Sequence, residues 1–237
     1  MSGTVTGMGR REYKYFLPLS RIAEFRRRLR GHAELDAFSG PTGRYVVDSL
    51  YYDAPDQRLY LANMHERLDR YKMRVRHYPE TPGDRVFLEV KRRTGDIIRK
   101  LRTASDYAHW TQVLQDPTSD AGLKVQCEGL RPTMRVRYTR EAWNLIHHPY
   151  ARCSVDTAIC GLRQAEAHLE AGTGWRPLGQ DMAGASGQPS AVLELKFSGT
   201  APLVFSQLVR EMELERQAYG KYIRAVRLQG SPLGWVA

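Results

Sequence analysis

Apolar and polar residues alternate in short segments along most of the chain. Such two-residue periodicity, in runs rich in β-branched and aromatic residues, is typical of β-strands whose two faces meet different surroundings. The pattern predicts eight strands, over residues 10–17, 44–53, 71–78, 85–93, 97–102, 133–140, 151–159 and 191–198. Eight antiparallel strands are enough to close a barrel.

Helical patterns lie between these strands. Ser20 is a favourable N-cap for the first helix, and Gly220 is placed to interrupt the last one. Residues 171–189 are rich in Gly and Pro and predict a long loop. Because the chain after this loop is too short for a core of its own, we expect a single α+β domain with an antiparallel sheet. The predicted helices cover residues 20–30, 55–64, 106–114, 141–147 and 202–227.

Charged residues occupy one face of most predicted strands, since neighbouring side chains of a strand point to opposite faces. In one strand, Lys72, Arg74 and Arg76 alternate with apolar residues. A face in water usually mixes Ser, Thr and Gln with charges, whereas these faces are mainly Arg, Lys and Glu. The same alternation assigns to charged faces Glu12, Lys14, Glu89, Lys91, Arg135, Arg137, Arg152, Asp156, Glu194 and Lys196.

Two interpretations of the charged faces are open. They could lie in water on one side of an ordinary sheet, or the sheet could curl so that they line a lumen while the apolar faces meet helices outside. A lumen of cations is unfavourable unless an anion fills it. Phosphate suits both the planar fork of Arg and the compact charge of Lys. A few carboxylates could hold Mg²⁺ or Mn²⁺ together with phosphate oxygens.

The composition supports a polyanionic ligand without identifying it. The 237 residues include 36 Lys and Arg against 26 Asp and Glu, a formal net charge of +10. Such an excess attracts nucleic acid, anionic lipid or a phosphate chain. Nucleic acid is disfavoured because the aromatic residues lie mostly on the parity opposite to the cations. Without an apolar run near the roughly 20 residues that span a bilayer, and with a small polar N-terminus, we expect a cytoplasmic protein that lacks a transmembrane segment.

Several short motifs follow one another in an order that resembles the VTC domain, the polyphosphate polymerase member of the triphosphate tunnel metalloenzymes, a CYTH-like superfamily. The resemblance covers residues 10–228. The motifs that carry it are Glu12-Tyr13-Lys14, Ser49-Leu50-Tyr51-Tyr52-Asp53, Tyr71-Lys72-Met73-Arg74-Val75-Arg76, Leu88-Glu89-Val90-Lys91, Val136-Arg137-Tyr138-Thr139-Arg140, Val155-Asp156-Thr157, Leu193-Glu194-Leu195-Lys196 and Gly220-Lys221-Tyr222.

The resemblance implies a closed antiparallel eight-stranded β-barrel, a triphosphate tunnel with helices packed outside. It divides the chain into a disordered or flexible tail at residues 1–9, the tunnel domain at residues 10–228 and a C-terminal tail at residues 229–237. In the polymerase members, the γ-phosphate of ATP is transferred to a growing polyphosphate chain with Mn²⁺ or Mg²⁺. The expected ligands are therefore ATP, polyphosphate or tripolyphosphate, and one of these metals.

Carried over motif by motif, the resemblance assigns roles to the charged residues. Glu194 would bind the metal, while Glu12 and Glu89 would be second ligands or partners that orient Lys14 and Lys91. The catalytic residues that grip phosphate would be Lys14, Arg74, Arg76, Lys91, Arg137 and Lys221. Further phosphate contacts would come from Lys72, Arg135, Arg152 and Lys196.

Two departures from the family pattern keep other functions open. Arg10 stands where the hydrolase and cyclase branch carries the first glutamate of Glu-x-Glu-x-Lys, which weakens a triphosphatase interpretation. Gly220 replaces the serine of the usual Ser-Lys-Tyr. The alternatives to a polymerase are a non-catalytic module that binds polyphosphate or nucleotide, and an inorganic or nucleoside triphosphatase. A membrane-protein partner is neither indicated nor excluded.

Overall fold

The computed structural model describes residues 10–80, 85–95, 97–115, 128–178 and 189–230. The predicted tail at residues 1–9, all but the first two residues of the tail at 229–237, and residues 179–188 of the predicted loop lie outside this description. The strands are β1 Arg10–Pro18, β2 Ala33–Leu35, β3 Tyr45–Asp53, β4 Asp69–His77, β5 Arg85–Thr94, β6 Ile97–Asp106, β7 Arg131–Leu145, β8 Arg152–Arg163, β9 Arg176–Pro177 and β10 Ser190–Ser198. The helices are α1 Ile22–Leu29, α2 Arg58–Met64, α3 Trp110–Gln115, α4 Leu203–Glu211 and α5 Lys221–Gln229, with a 3-10 turn at Leu19–Arg21.

The strands form one antiparallel sheet in the order β1-β10-β8-β7-β3-β4-β5-β6, with β2 beside β7 and β9 beside β8. The predicted closed barrel is wrong, because no hydrogen-bonded pairing within the described residues joins β1 to β6. The free edge of β1 is occupied instead by the segment before α5. There Gln217 N donates to Lys14 O at 2.8 Å, and Arg216 forms a bridge with Tyr15. An irregular segment thus lies where a closing strand would pair.

The open sheet is strongly curved. Five strands separate β1 from β5 in sheet order, yet Glu12 Oε2 of β1 lies 3.2 Å from Lys91 Nζ of β5. This contact requires that the face carrying both side chains be concave, and we call it the concave face. By register the concave face also carries Lys14, Tyr51, Lys72, Arg74, Arg76, Phe87, Lys100, Arg102, Glu89, Tyr138, Arg140, Asp156, Glu194 and Lys196.

The convex face of the sheet is mostly apolar and is covered by helices, apart from an ion cluster of the buried Asp48 with Arg135 and Arg137. Phe25 of α1 and Phe205 of α4 are buried against alternate apolar residues of β1, β8 and β10. Trp110 of α3 and Leu169 are buried against those of β3, β4 and β5. Burial of these alternating apolar side chains is the main favourable contribution to folding, and it directs the charged side chains of the same strands to the concave face.

Helix α5, with Tyr60 of α2 beside it, departs from the expectation that all helices pack outside. Tyr222 and Val226 of α5 are buried in the same cluster as Val136 of the concave face. The ring of Tyr222 stacks on Tyr51 of β3, with centroids 4.9 Å apart. α5 therefore covers one end of the concave face, and its first residue, Lys221, projects among the charged side chains.

The predicted helix over residues 141–147 is wrong. β7 continues to Leu145 and pairs there with both β2 and β8. Trp143 and Leu145 are buried while Asn144 between them is exposed, as expected of a strand, and Trp143 packs edge-on against Phe25 of α1. Pairing on both sides and burial of Trp143 override the local helical preference of this segment.

The last two helices are separate, as the sequence predicts. α4 ends at Glu211, and α5 begins at Lys221 directly after Gly220. Across the ranges that the structure describes, no helix combines the length and the apolarity that a membrane span needs.

Candidate functional site

Two buried carboxylates of the concave face gather cations from three elements. Glu194 of β10 lies 2.6 Å from Lys196 Nζ and 3.2 Å from Lys221 Nζ. Asp156 of β8 lies 2.5 Å from Lys221 Nζ and forms a two-pronged ion pair with Arg140 of β7 at 2.6 and 2.7 Å. Burial disfavours a charged Glu194, but the Lys196 and Lys221 ammonium groups outweigh it and hold the pKa of Glu194 well below its ordinary value. The carboxylates stay ionised and orient Lys221 and Arg140.

Glu89 of β5 is the centre of a second cluster. It is only 1% exposed, and four cations surround it: Arg74 at 2.6 Å, Lys100 at 2.5 Å, Arg102 at 3.4 Å and Arg76 at 3.8 Å. Burial opposes ionisation of Glu89, but the Arg74 and Arg76 guanidinium groups hold its pKa well below the ordinary value. One carboxylate against four cations leaves positive charge in excess.

Glu12 links the two sides of the curved sheet. Its carboxylate lies 3.4 Å from Lys14 Nζ and 3.2 Å from Lys91 Nζ. Burial opposes its ionisation, but Lys196, Lys91 and Lys14 together hold the pKa of Glu12 well below its ordinary value. Lys14 Nζ also donates to Tyr219 O at 2.7 Å, just before α5. The ends of the site are thereby joined through side chains rather than through backbone pairing.

Lys72 lies in the gap between these clusters. It has neither an ion-pair nor a hydrogen-bond partner among the residues that the structure describes. Burial lowers the pKa of its ammonium group to about 7, and repulsion by Lys14 and Lys91 adds to the shift. A Cβ atom at Gly220 would lie 3.7 Å from Lys72 Nζ, so the backbone before α5 approaches this lysine closely. Among the described residues, no carboxylate lies within ion-pair distance of Lys72.

The structure gathers most of the predicted site residues on the concave face. Arg152 shares this face, where it is exposed at the start of β8 opposite Lys196. The others that converge there are Lys14, Lys72, Arg74, Arg76, Lys91, Lys196, Lys221, Glu12, Glu89 and Glu194.

Arg135 and Arg137 are not brought to this site. Both project from the convex face, where each forms an ion pair with the buried Asp48, at 2.8 and 2.7 Å. Arg135 is fully buried and also donates to the backbone oxygens of Leu169 and Glu170, while Arg137 lies over the ring of Trp175. Their parity matches the charged pattern of other strands, but the pairing of β7 with β3 turns Met134, Val136 and Tyr138 inward.

Sequence reasoning missed several charged residues of the concave face. Lys100 and Arg102 alternate on β6, within a predicted strand, so parity alone could have found them. Arg140 lies within a predicted strand but shares the parity of Met134, Val136 and Tyr138, which alternation assigns to the apolar face, so the sequence did not single it out. Alternation does place Asp156 on the charged face of its strand with Arg152, but its role as the carboxylate that holds Lys221 and Arg140 depends on contacts between distant elements.

The carboxylates of the concave face fit a divalent metal only in part. Within the described residues no three His, Cys, Asp or Glu side chains converge as a metal site. Glu12 and Glu194 nevertheless flank the same ammonium group, at 3.4 and 3.9 Å from Lys14 Nζ. Mg²⁺ and Mn²⁺ are often bound by one or two carboxylates, with phosphate oxygens and water as the other ligands. Glu12 and Glu194 could supply these carboxylate ligands.

Comparisons with known proteins address the fold and the family. A sequence profile of the VTC domain matches residues 9–229. A provisionally named adenylate cyclase from Bacillus halodurans is 11% identical, with 90% of this chain and 96% of that chain covered and a TM-score of 0.53. The PH1819 protein of Pyrococcus horikoshii is 13% identical, with 94% and 99% covered and a TM-score of 0.50. At such identities the two structures show a shared fold only. Among curated proteins, none matches the sequence significantly.

Proposed function

Because the chain belongs to the VTC domain family, we propose that its concave face binds the phosphate chains of ATP and polyphosphate and transfers the γ-phosphoryl group of ATP to the polyphosphate end. The observation that carries this proposal is Lys72, a half-buried ammonium group without a partner among the described residues, with Lys14 and Lys91 nearby. Such an arrangement is costly unless an anion occupies it. A phosphate chain is an anion of suitable shape, since its charges repeat along its length.

The two ion clusters would hold the chain on either side of Lys72. Arg74 and Arg76 present guanidinium groups that can each bind two phosphate oxygens, and Lys91 and Lys221 present compact charges. Glu89 and Asp156 keep these side chains oriented before the ligand arrives. Preorganised charge of this kind stabilises a phosphoryl group in transfer, because no side chains have to be reoriented at that moment.

The transfer needs no nucleophile from the protein. A terminal oxygen of polyphosphate attacks the γ-phosphorus of ATP, the bond from that phosphorus to the β–γ bridging oxygen breaks, and ADP leaves with the bond electrons. Positioning and neutralisation of charge are the main protein contributions to such a step. Mn²⁺ or Mg²⁺, held by Glu194 with Glu12, would add positive charge at the phosphate oxygens.

The same geometry supports a second candidate, a polyphosphate-binding module without turnover. Glu12, Glu89, Asp156 and Glu194 are each already engaged by at least two cations. A metal would have to compete with these ammonium and guanidinium groups for its ligands. This candidate predicts binding of tripolyphosphate with ATP left intact.

Incubation of the full chain with ATP and Mn²⁺ separates the candidates. The polymerase predicts that long polyphosphate and ADP accumulate together. Glu194→Gln should abolish this metal-dependent turnover while tripolyphosphate still binds, whereas Glu34→Gln, at an exposed position of β2, is the matched control and should keep it. Accumulation of free phosphate without polyphosphate would identify a triphosphatase. If ATP remains intact while tripolyphosphate binds, the result would favour the binding module over both enzymes.

A further inference from the structure

The charged rows of the concave face end in aromatic rings. On β4 the cations end at Arg76 and are followed by Tyr78, and on β5 Phe87 lies directly opposite Arg76. Tyr78 contacts both Tyr45, at the start of β3, and Phe87, with ring centroids 5.9 Å apart in each pair. All three rings are half-buried. We refer to Tyr45, Tyr78 and Phe87 as the aromatic cluster.

The rings of the aromatic cluster contact one another without stacking, and Tyr45 and Tyr78 also pack against the buried cluster that includes Tyr138. The three rings meet edge to face, at 60° for Tyr45 with Tyr78 and 73° for Tyr78 with Phe87, so they do not cover one another by stacking. One face is already used by a planar cation, since Arg102 Cζ lies 3.7 Å from the ring centroid of Phe87. A nucleobase is likewise planar, and it stacks on aromatic rings and on guanidinium planes.

The distance along β5 suits a nucleotide. Phe87 and Lys91 lie on the same face, four residues and therefore about 13 Å apart. Arg102, whose side chain is 44% exposed, contacts the ring of Phe87 and the carboxylate of Glu89 at the same time. A nucleoside triphosphate with its base at Phe87 would reach the lysines with its terminal phosphate.

We propose that the aromatic cluster and Arg102 form a nucleobase site, which binds the purine of a nucleoside triphosphate and directs its phosphates toward Arg76, Arg74 and Lys72. This inference rests on the proposed phosphate site and deepens it. Polyphosphate has no base and gains nothing from the cluster. The cluster therefore distinguishes donor from acceptor and places the γ-phosphate, rather than the α-phosphate, nearest to Lys72.

The test compares two ligands on one variant by isothermal titration calorimetry without metal. Phe87→Leu removes the ring but keeps an apolar side chain. We expect its affinity for ATP to fall by about fivefold to 150-fold, the range for loss of one base–aromatic stack, while its affinity for tripolyphosphate stays within about twofold, since that ligand carries no base. Tyr150→Leu, at an exposed tyrosine between β7 and β8, is the matched control and should change neither affinity.

Each other outcome overturns the assignment. Equal losses for ATP and tripolyphosphate, or no loss for ATP, would exclude the nucleobase site and leave the phosphate site standing. Failure of the unaltered protein to bind tripolyphosphate would instead refute the proposed function, and this site with it. The unaltered protein supplies a second measurement that does not depend on folding of a variant. It should bind ATP more tightly than CTP, because a purine stacks over a larger area, and equal affinities would contradict the proposal.

Discussion

The pKa of Lys72 depends on where the fold places this residue relative to the neighbouring charges. Its alternation with Met73 and Val75 predicts only that it shares a face with Arg74 and Arg76. In the structure those two arginines are neutralised in part by Glu89, whereas Lys72 has no carboxylate partner among the described residues. Burial therefore lowers the pKa of Lys72 to about 7, with repulsion from neighbouring lysines adding to it.

Binding of a polyanion should return a proton to Lys72. At about pH 8 a group with a pKa near 7 is mostly neutral, and phosphate beside it favours the charged form. Calorimetry with tripolyphosphate in two buffers of different ionisation enthalpy counts the protons taken up. We expect Lys72→Met to take up about one proton fewer than the unaltered protein, as linkage requires. Its affinity should also fall by about 1–3 kcal/mol.

Two further variants control this measurement. Lys72→Arg retains a charge at every accessible pH, so it should bind tripolyphosphate well without the additional proton. Arg30→Met removes an exposed charge at the end of α1 and should leave proton uptake unchanged. The same proton count in Lys72→Met as in the unaltered protein would show that another group titrates.

Asp53 connects three elements at the end of β3. Its carboxylate is fully buried and accepts N–H bonds from the next residue, Ala54, at 2.8 Å, and from Leu59 and Tyr60 at the start of α2, at 2.9 and 2.8 Å. It also accepts the hydroxyl of Tyr222 in α5 at 2.6 Å. Asp53 therefore holds α5 in place on the concave face, and with it Lys221.

Loss of this carboxylate should destabilise the protein. Asp53→Ala leaves three backbone donors and one hydroxyl without their acceptor, and we expect the free energy of unfolding to fall by about 2–4 kcal/mol. Urea denaturation measures it. Asp56→Ala is the matched control, because Asp56 is exposed and accepts one bond from Arg58 N at 3.2 Å, so its effect should stay within about 0.5 kcal/mol. Equal losses in the two variants would contradict the role of Asp53.

The lowered pKa values of Lys72 and Lys100 make the stability of the whole molecule depend on pH. Burial lowers the pKa of Lys72 to about 7 and that of Lys100 to about 8, whereas both have an ordinary value of 10.5 in the unfolded chain. Between these values the unfolded chain binds more protons than the folded one, so stability rises with pH. Glu89 and Glu194 have lowered pKa values. Their stabilising contribution to the free energy of unfolding is therefore fully present above about pH 4.5 and does not change over the window considered.

The ligand-free protein should therefore gain stability from pH 6.5 to pH 8.5. Each proton of difference contributes at most about 1.4 kcal/mol per pH unit, which in a chain of this size raises Tm by about 2–4 °C per kcal/mol. Differential scanning calorimetry measures the slope. Tripolyphosphate should raise Tm most at the lower pH and flatten the slope, and Lys72→Met should flatten it without ligand. A falling Tm over this window would refute the assigned titrations.

Much of the local structure could be predicted from the sequence. The eight main strands, the break between α4 and α5, and the charged faces of β1, β4, β5 and β10 follow from alternation within a few residues, which pairing does not alter. The extension of β7 through Trp143 was missed because pairing on both sides, rather than local preference, made it a strand.

By itself the sequence determined where the eight main strands lie, though not the full length of β7, and which side chains of a strand share a face. Only the tertiary structure decided which face became concave, that Arg135 and Arg137 turned away to Asp48, that α5 entered the concave face, and that an irregular segment took the edge of β1. The physical reason is the separation along the chain of the residues that interact. Alternation is a property of adjacent residues, whereas register, curvature and ion pairing depend on contacts between segments that lie far apart in the chain.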